Sequence, residues 1–413
     1  MLKTKTYGNG LRVIVDSTDY VRSISMGILV GTGSYCENER ENGISHFIEH
    51  VNFKGTAKRS SFDISDGIDC IGAQIDAFTS KDLTCYYVKC TDEHAEDSFE
   101  ILSDLFFNSV YPEDELEKER GVIIEEINMS EDSPDDLCLD LLAESYFGKG
   151  GFGSPILGNI QNVSRFSKEE IFAYKSKFYK PSNTVISFAG NISFERACEL
   201  VEKYAVIDGK SDPVVFPDYN KECAEKHLAV SKAIEQNHIA LAFPGVKIES
   251  KDRFALICLN AVLGGGMSSR LFQSVREKQG LAYAVYSYLS SYKDLGVICV
   301  YAGVNPNKRK TSYDCIVSEI KKFSECGITE NELKRAKEQI KGSTVLSREN
   351  MASIMISQGK RLLLTGEPFD IDKDLAAVSA LTLDGVNRLA EKYFSLDVFS
   401  SAIVGKDVEP LIK

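Results

Sequence analysis

The feature that most constrains the fold is a repeated order of elements in the two halves of the chain. The first half opens with strand-like apolar runs at Leu11 to Val15 and Ile24 to Val30, the second closed by Gly31 and Gly33. A helical pattern from Asn42 to Val51 follows and stops at Lys54-Gly55. Another helix, near Ser61 to Gly72, leads into two β-rich runs, Gln74 to Thr79 and Thr84 to Cys90, spaced as a hairpin. Helical patterns at Glu93 to Ser109, Pro112 to Ser130 and Asp135 to Tyr146 complete that half. The second half repeats the order: a strand at His238 to Phe243, helices at Lys251 to Leu263 and Ser268 to Lys278, and strands at Tyr283 to Leu289 and Val297 to Ala302. Further helices follow, the longest around Asn331 to Leu364.

A repeat on this scale, in a chain of 413 residues, specifies two similar domains rather than one large core. Asp212-Pro213 and Phe216-Pro217 interrupt both periodicities, so 211–227 is expected to link a domain of 1–210 to one of 228–413. Neither half keeps the strand–helix–strand rhythm of a parallel sheet. The expected class is α+β, with two similar domains, each an antiparallel-rich sheet packed with helices.

Charge narrows the function classes. With 48 Lys and Arg against 61 Asp and Glu, the net charge of −13 excludes the basic footprint of a nucleic-acid binder and gives a field that can steer basic peptides. The eleven cysteines form no CxxC pair and no dense framework, which suits reduced thiols. No uncharged run approaches the roughly 18 residues of a membrane span, and the first residues have neither signal nor transit character. A cytoplasmic protein with no membrane and no nucleic-acid partner is expected.

Two of only five histidines, His46 and His50, stand four apart on one predicted helix and so share a face. That spacing alone is compatible with packing. The order His-Phe-Ile-Glu-His, however, inverts the helical zinc-protease motif and leaves Glu49 beside the pair, where a carboxylate can take a proton from a metal-bound water. A catalytic zinc needs a third ligand. The helix from Pro112 to Ser130 offers acids: Glu119 and Glu126 are seven apart on one face, Ile123 and Ile127 turn Glu126 inward, and Glu125 is rotated toward solvent. Two histidines with one carboxylate also make the facial triad of non-haem iron oxygenases, so the residues alone leave both metals open. Gly264-Gly265-Gly266 lacks the Gly-Lys-Ser/Thr of a phosphate loop, and His94 and His227 are expected in solvent, the latter within the linker.

The run Gly43-Ile44-Ser45-His46-Phe47-Ile48-Glu49-His50-Val51-Asn52-Phe53-Lys54-Gly55-Thr56 resembles throughout the signature of the insulinase/pitrilysin family of zinc metallopeptidases. The resemblance is strongest to its short-chain branch, which includes the mitochondrial processing peptidase β subunit and bacterial homologues. It implies zinc held by His46, His50 and Glu126, with Glu49 as general base and Glu119 orienting a ligand histidine. Gly72-Ala73-Gln74-Ile75-Asp76-Ala77-Phe78-Thr79 is similar to the family's edge strand, on which an extended substrate is laid, although Asp76 stands where Asn is commoner. Ser269-Arg270-Leu271-Phe272 and Arg276-Glu277-Lys278-Gln279-Gly280-Leu281-Ala282-Tyr283 also match, which makes Arg276 and Tyr283 the pair that contacts substrate backbone and developing oxyanion. Gln236-Asn237-His238 matches a strand opening, so His238 is expected to be structural. Leu256 to Val262, the second half's counterpart of the metal helix, has no His or Glu, so one Zn2+ per chain is implied.

The family architecture further implies a chain that forms half of a clamshell. A homodimer in which Arg276 and Tyr283 complete the neighbour's site is the simplest assembly, and a heterodimer with an inactive homologue is the other. The implied activity is endopeptidase cleavage of peptides or unfolded segments. A non-catalytic subunit of a processing peptidase is the alternative.

Overall fold

The computed structural model describes residues 1–205, 213–216 and 226–412; of the expected linker 211–227, only 213–216 and 226–227 fall among them. The chain forms two compact units, and neither is contiguous in sequence. One comprises Met1–Asn128, Ser154–Tyr219 and Ser347–Phe369; the other comprises Met129–Gly153, Asn220–Leu346 and Asp370–Lys413. Residues 129–153 thus belong with most of the second half of the sequence, and 347–369 with most of the first.

The first unit holds β1 (Leu2–Thr6), β2 (Arg12–Ser17), β3 (Ser23–Val30), β4 (Gln74–Thr79), β5 (Thr84–Thr91) and β6 (Thr184–Gly190), in the sheet order β1-β2-β6-β3-β5-β4. The second holds β7 (His227–Ser231), β8 (Asn237–Pro244), β9 (Ala282–Ser291), β10 (Gly296–Val304) and β11 (Ser400–Gly405), in the order β7-β11-β8-β10-β9. Remove β1 and the two orders superimpose strand for strand. Each sheet has one parallel pair, β2 with β6 and β7 with β11, and is otherwise antiparallel. The repeat read from sequence is therefore a repeat of topology. It leaves β4 at the edge of one sheet and β9 at the edge of the other.

Five helices of the first half matter for the site: α1 (Ile44–Asn52), α2 (Ser61–Cys70), α3 (Ala95–Phe107), α4 (Glu113–Asp132) and α5 (Pro134–Phe147). α2 and α3 cover one face of the first sheet, sharing a core with Ile28, Val88 and Phe188. The other face is covered by the helix Met351–Thr365 from far along the chain. Its approach is close: a Cβ on Gly27 would lie 2.4 Å from Met355 Sδ, and Ser187 Oγ donates to the Met355 carbonyl at 2.7 Å. In the second unit, α5 plays the same part, with Ser145 Oγ donating to the carbonyls of Lys226 at 2.7 Å and Ser401 at 3.2 Å. Covered on both faces, β6, β10 and β11 are buried along their whole length.

The single long helix expected over Asn331 to Leu364 is two helices, Glu330–Leu346 and Met351–Thr365. Asn350 caps the second by accepting the Ser353 amide at 3.0 Å, and the break lets the two halves of the run serve different units. Among the described residues no helix is long and apolar enough to cross a membrane.

α1 ends above a cation sunk in an uncharged setting. Lys175 is only part-buried as a residue, but its ammonium donates to the Phe106 carbonyl (3.0 Å), Tyr111 Oη (2.7 Å) and Asn52 Oδ1 (3.3 Å). Burial lowers its pKa from 10.5 to about 7. Between those values the unfolded chain binds a proton that the folded chain does not, so stability rises with pH across that window. Urea unfolding of wild type and Lys175→Met from pH 6 to 10 should show the wild type gaining on the variant by ~4 kcal/mol between pH 7 and pH 10, with a nearly constant difference below pH 7. A difference that stays flat from pH 7 to 10 would refute the buried amine.

Candidate metal centre

α1 is placed by its apolar stripe. Ile44, Phe47, Ile48 and Val51 are buried in a core shared with Leu116, Ile123 and Ile127 of α4 and with Phe166, Tyr174 and Phe178. With that stripe fixed, His46 and His50 face α4 one above the other, their ring centroids 4.6 Å apart at 64°. α4 answers with Glu119 and Glu126, two turns apart on its facing side.

His50 stands between these carboxylates: Nδ1 lies 3.1 Å from Glu119 Oε2, and Nε2 lies 3.4 Å from Glu126 Oε2. His46 Nε2 is 3.7 Å from that same Glu126 oxygen. The other Glu119 oxygen takes the Lys54 ammonium at 2.7 Å. Glu119 is buried, whereas Glu126 is 38% exposed and so less enclosed than its flanking isoleucines suggest; Glu125 is exposed as expected.

The electrostatics separate the roles. Burial first, and the His50 charge second, drive the His46 pKa down to about 3, so its imidazole is neutral. Burial also acts against the charged form of His50, but the Glu119 hydrogen bond and the charges of Glu126 and Glu49 outweigh it and raise its pKa. Burial pushes Glu119 up, and the hydrogen bonds from His50 and Lys54 more than reverse this, leaving it ionised. Glu49 is raised, by burial above all, with Asp76 and Glu126 adding to a shift that the Thr79 hydrogen bond and His50 oppose.

A metal fits the donors. Ligand atoms of His46, His50 and Glu126 lie within 4.8 Å of one another, the only such group of three among the described residues. With Nδ1–H given to Glu119, a neutral His50 turns its Nε2 lone pair toward a Glu126 oxygen, an arrangement that a shared cation would make favourable. His46 Nδ1 is sealed from water without a partner, while its Nε2 faces the shared Glu126 oxygen. Two imidazoles and a carboxylate with an open position match catalytic zinc. Glu49 is outside the group: its Oε2 accepts from Thr79 Oγ1, at the end of edge strand β4.

Ahead of β4, Gly72 takes φ +62°, the left-handed turn that glycine permits, and Ala73 is buried. Along the strand Gln74 and Asp76 are exposed, while Ile75, Ala77, Phe78 and Thr79 are half-buried. Asp76 accepts from Tyr87 Oη at 3.1 Å. The second unit carries the other expected pair. Arg276 lies in a π-helical turn, Phe272–Lys278, with its guanidinium 4.8 Å from the Phe272 ring centre and 5.6 Å from that of Tyr283. Tyr283 is 77% exposed at the start of β9.

His238 is structural, with Nδ1 2.6 Å from Tyr301 Oη. His94 is exposed. His227 is not a solvated linker residue: it opens β7, its Nδ1 is 2.9 Å from Ser401 Oγ and its ring meets Phe399. Sequence reasoning took Lys54 only as a helix stop and missed its bond to Glu119. It also missed Glu37, a buried carboxylate at the start of α1.

Comparison with known proteins decides what this site belongs to. The model for insulinase, peptidase family M16, matches residues 12–160, and that for the peptidase M16 inactive domain matches 165–340. A protein of Bacillus subtilis named uncharacterized zinc protease YmxG is 42% identical over 96% of this chain and 97% of its own length. The chain belongs to peptidase family M16. An uncharacterized zinc protease of Streptomyces coelicolor is 37% identical over 94% of this M16 chain and 86% of its own length. A protease structure from Helicobacter pylori shares the fold, with a TM-score of 0.90 at 24% identity over 98% of this chain and 99% of its own.

In this M16 chain the Lys54–Glu119–His50 relay gives a direct expectation. Glu119→Gln should weaken zinc binding by roughly 10- to 100-fold in chelator competition, with the fold retained by circular dichroism. Unaltered zinc affinity would show that Glu119 does not support the ligand histidine.

Proposed function

We infer that the chain is a zinc-dependent endopeptidase acting on extended peptides or unfolded segments. The observation that carries this reading is the convergence of His46, His50 and Glu126 beside a carboxylate, Glu49, whose proton affinity is raised, next to the free edge of β4. The relatives named zinc proteases favour zinc over iron for the same donors. Bound there, one zinc per chain supplies a Lewis acid for the scissile carbonyl and lowers the pKa of the attacking water.

The protein's own residues do the rest. Glu49 takes the proton from the water and returns it to the leaving amine, and its raised pKa suits both transfers. Thr79 holds one Glu49 oxygen and so aims the other. β4, with residues Gly72 to Thr79 around it, offers unpaired backbone groups to a peptide lying alongside. Arg276 and Tyr283 donate to the oxyanion and the substrate backbone, and they come from a second copy of the chain. Because each copy carries both sets, a homodimer suffices and an inactive partner is not required. Buried thiols at Cys36, Cys85, Cys138 and Cys299 suit a cytoplasmic setting.

Glu49→Gln should keep zinc, measured by metal analysis, while cleavage of a fluorogenic peptide falls by about 10³-fold or more. Retained cleavage would sink the mechanism. The dimer has its own readout. Glu49→Gln and Arg276→Ala should each be inactive alone, and mixing with subunit exchange should restore about a quarter of wild-type activity, since half the dimers then hold one complete site. No recovery after demonstrated exchange would place Arg276 and Tyr283 elsewhere.

A further inference from the structure

The helix carrying His46, Glu49 and His50 begins without a capping side chain of its own. Its N-cap is Gly43 at φ +98°, where a Cβ would come within 2.9 Å of Gly158 Cα, so a side-chain cap does not fit. The first amides of a helix still need acceptors. Here the acceptor comes from six residues upstream. Glu37, 1% exposed, takes the amide N–H groups of Gly43 and Ser45, each at 2.8 Å, and Asn42 Nδ2 at 3.1 Å. Its two oxygens grip the turn from both sides: Oε2 holds Gly43 and Asn42, and Oε1 holds Ser45. The Ser45 hydroxyl is 2.9 Å from Tyr174 Oη, which lies 2.8 Å from Thr32 Oγ1.

His46 is the third residue of α1 and therefore part of this first turn. Fraying of the turn moves one ligand while Glu126 stays on α4, and metal centres tolerate only about 0.5 Å of such movement. We propose that Glu37 is a positioning residue of the metal centre, fixing the axial position and rotation of α1 and thereby the register of His46 and His50 against Glu119 and Glu126. This rests on the reading that His46, His50 and Glu126 hold zinc. Both Glu37 oxygens accept N–H bonds at the helix's positive end.

The test compares Glu37→Gln with Asp104→Asn, a loss of another buried carboxylate of the same unit, bonded to Thr56, Arg59 and Asn108. Both variants are expected to fold with a lowered melting temperature. Only Glu37→Gln should weaken zinc affinity by about tenfold or more in chelator competition and shift the visible absorption bands of the cobalt(II)-substituted protein. Wild-type zinc affinity and cobalt bands in Glu37→Gln overturn the proposal. Should Glu37→Gln not fold, Glu37→Asp keeps the charge but draws it back by one methylene. It is then expected to show the same shift in smaller measure, and an unchanged site in it overturns the proposal equally. A wild type that binds no zinc overturns both this proposal and the function on which it rests.

Discussion

The register between α1 and α4 is the constraint from which the site follows. His50 sits at the crossing, with one ring nitrogen toward Glu119 and the other toward Glu126, 3.1 and 3.4 Å away. Seven residues of helix span about 10 Å, so one imidazole between two such carboxylates fixes how far either helix can slide. The apolar seam of Phe47, Ile48 and Val51 against Leu116, Ile123 and Ile127 supplies the adhesion, but apolar contacts alone do not select one rotation. The polar crossing does. Its chain of Lys54, Glu119 and His50 makes the same contacts serve orientation and tautomer at once.

The same economy governs the fold. Each sheet has one face covered mainly by its own half, while a helix from the other half, α5 or Met351–Thr365, lies on the second face. Neither contiguous half therefore supplies all the apolar cover that its own sheet requires. Glycine marks the close approach: at Gly27 and Gly359 a Cβ would fall 2.4 Å from Met355 Sδ and 2.5 Å from Leu29 Cδ1. Such contacts tie the folding of each unit to a segment distant in sequence.

How much was legible in the sequence depended on whether a signal was local. α1, the β4–β5 hairpin and the helix before Tyr283 stood out because period, turn chemistry and motif agreed within short windows. β6 and β11 gave no alternation, since burial on both faces makes a strand read as an undivided apolar run. Helical periodicity ran through Ser347 to Asn350 because the flanking segments are both amphipathic, and only the cap at Asn350 marks the division. The helical period put Glu119 and Glu126 on one face and Glu125 on another, but it could not grade their burial. Glu37 left no mark at all: it lies in a loop, six residues ahead of the glycine whose missing side chain it replaces.

Divergence between the repeats is chemical rather than architectural. The counterpart of α1, Arg253–Leu263, fills its face with Leu256, Cys258, Leu259 and Val262 where α1 carries donors, so the second unit keeps the helix and drops the metal group. What it offers instead lies one element later, at the π-helical turn and the first residues of β9. A π turn widens the helix by a residue and is tolerated chiefly where a side chain must be aimed. Here that turn carries Arg276, whose guanidinium lies 4.8 and 5.6 Å from the centres of the Phe272 and Tyr283 rings and whose side chain is 41% exposed. A tyrosine left 77% exposed beside it gains nothing from the core, so packing does not account for its position. A guanidinium and a phenol hydroxyl together are donors of the kind that can stabilise a negative charge. The two repeats thus share an architecture and differ in chemistry: the donors of the first lie on α1 and α4, and Arg276 and the exposed Tyr283 of the second lie at the π-helical turn and the start of β9.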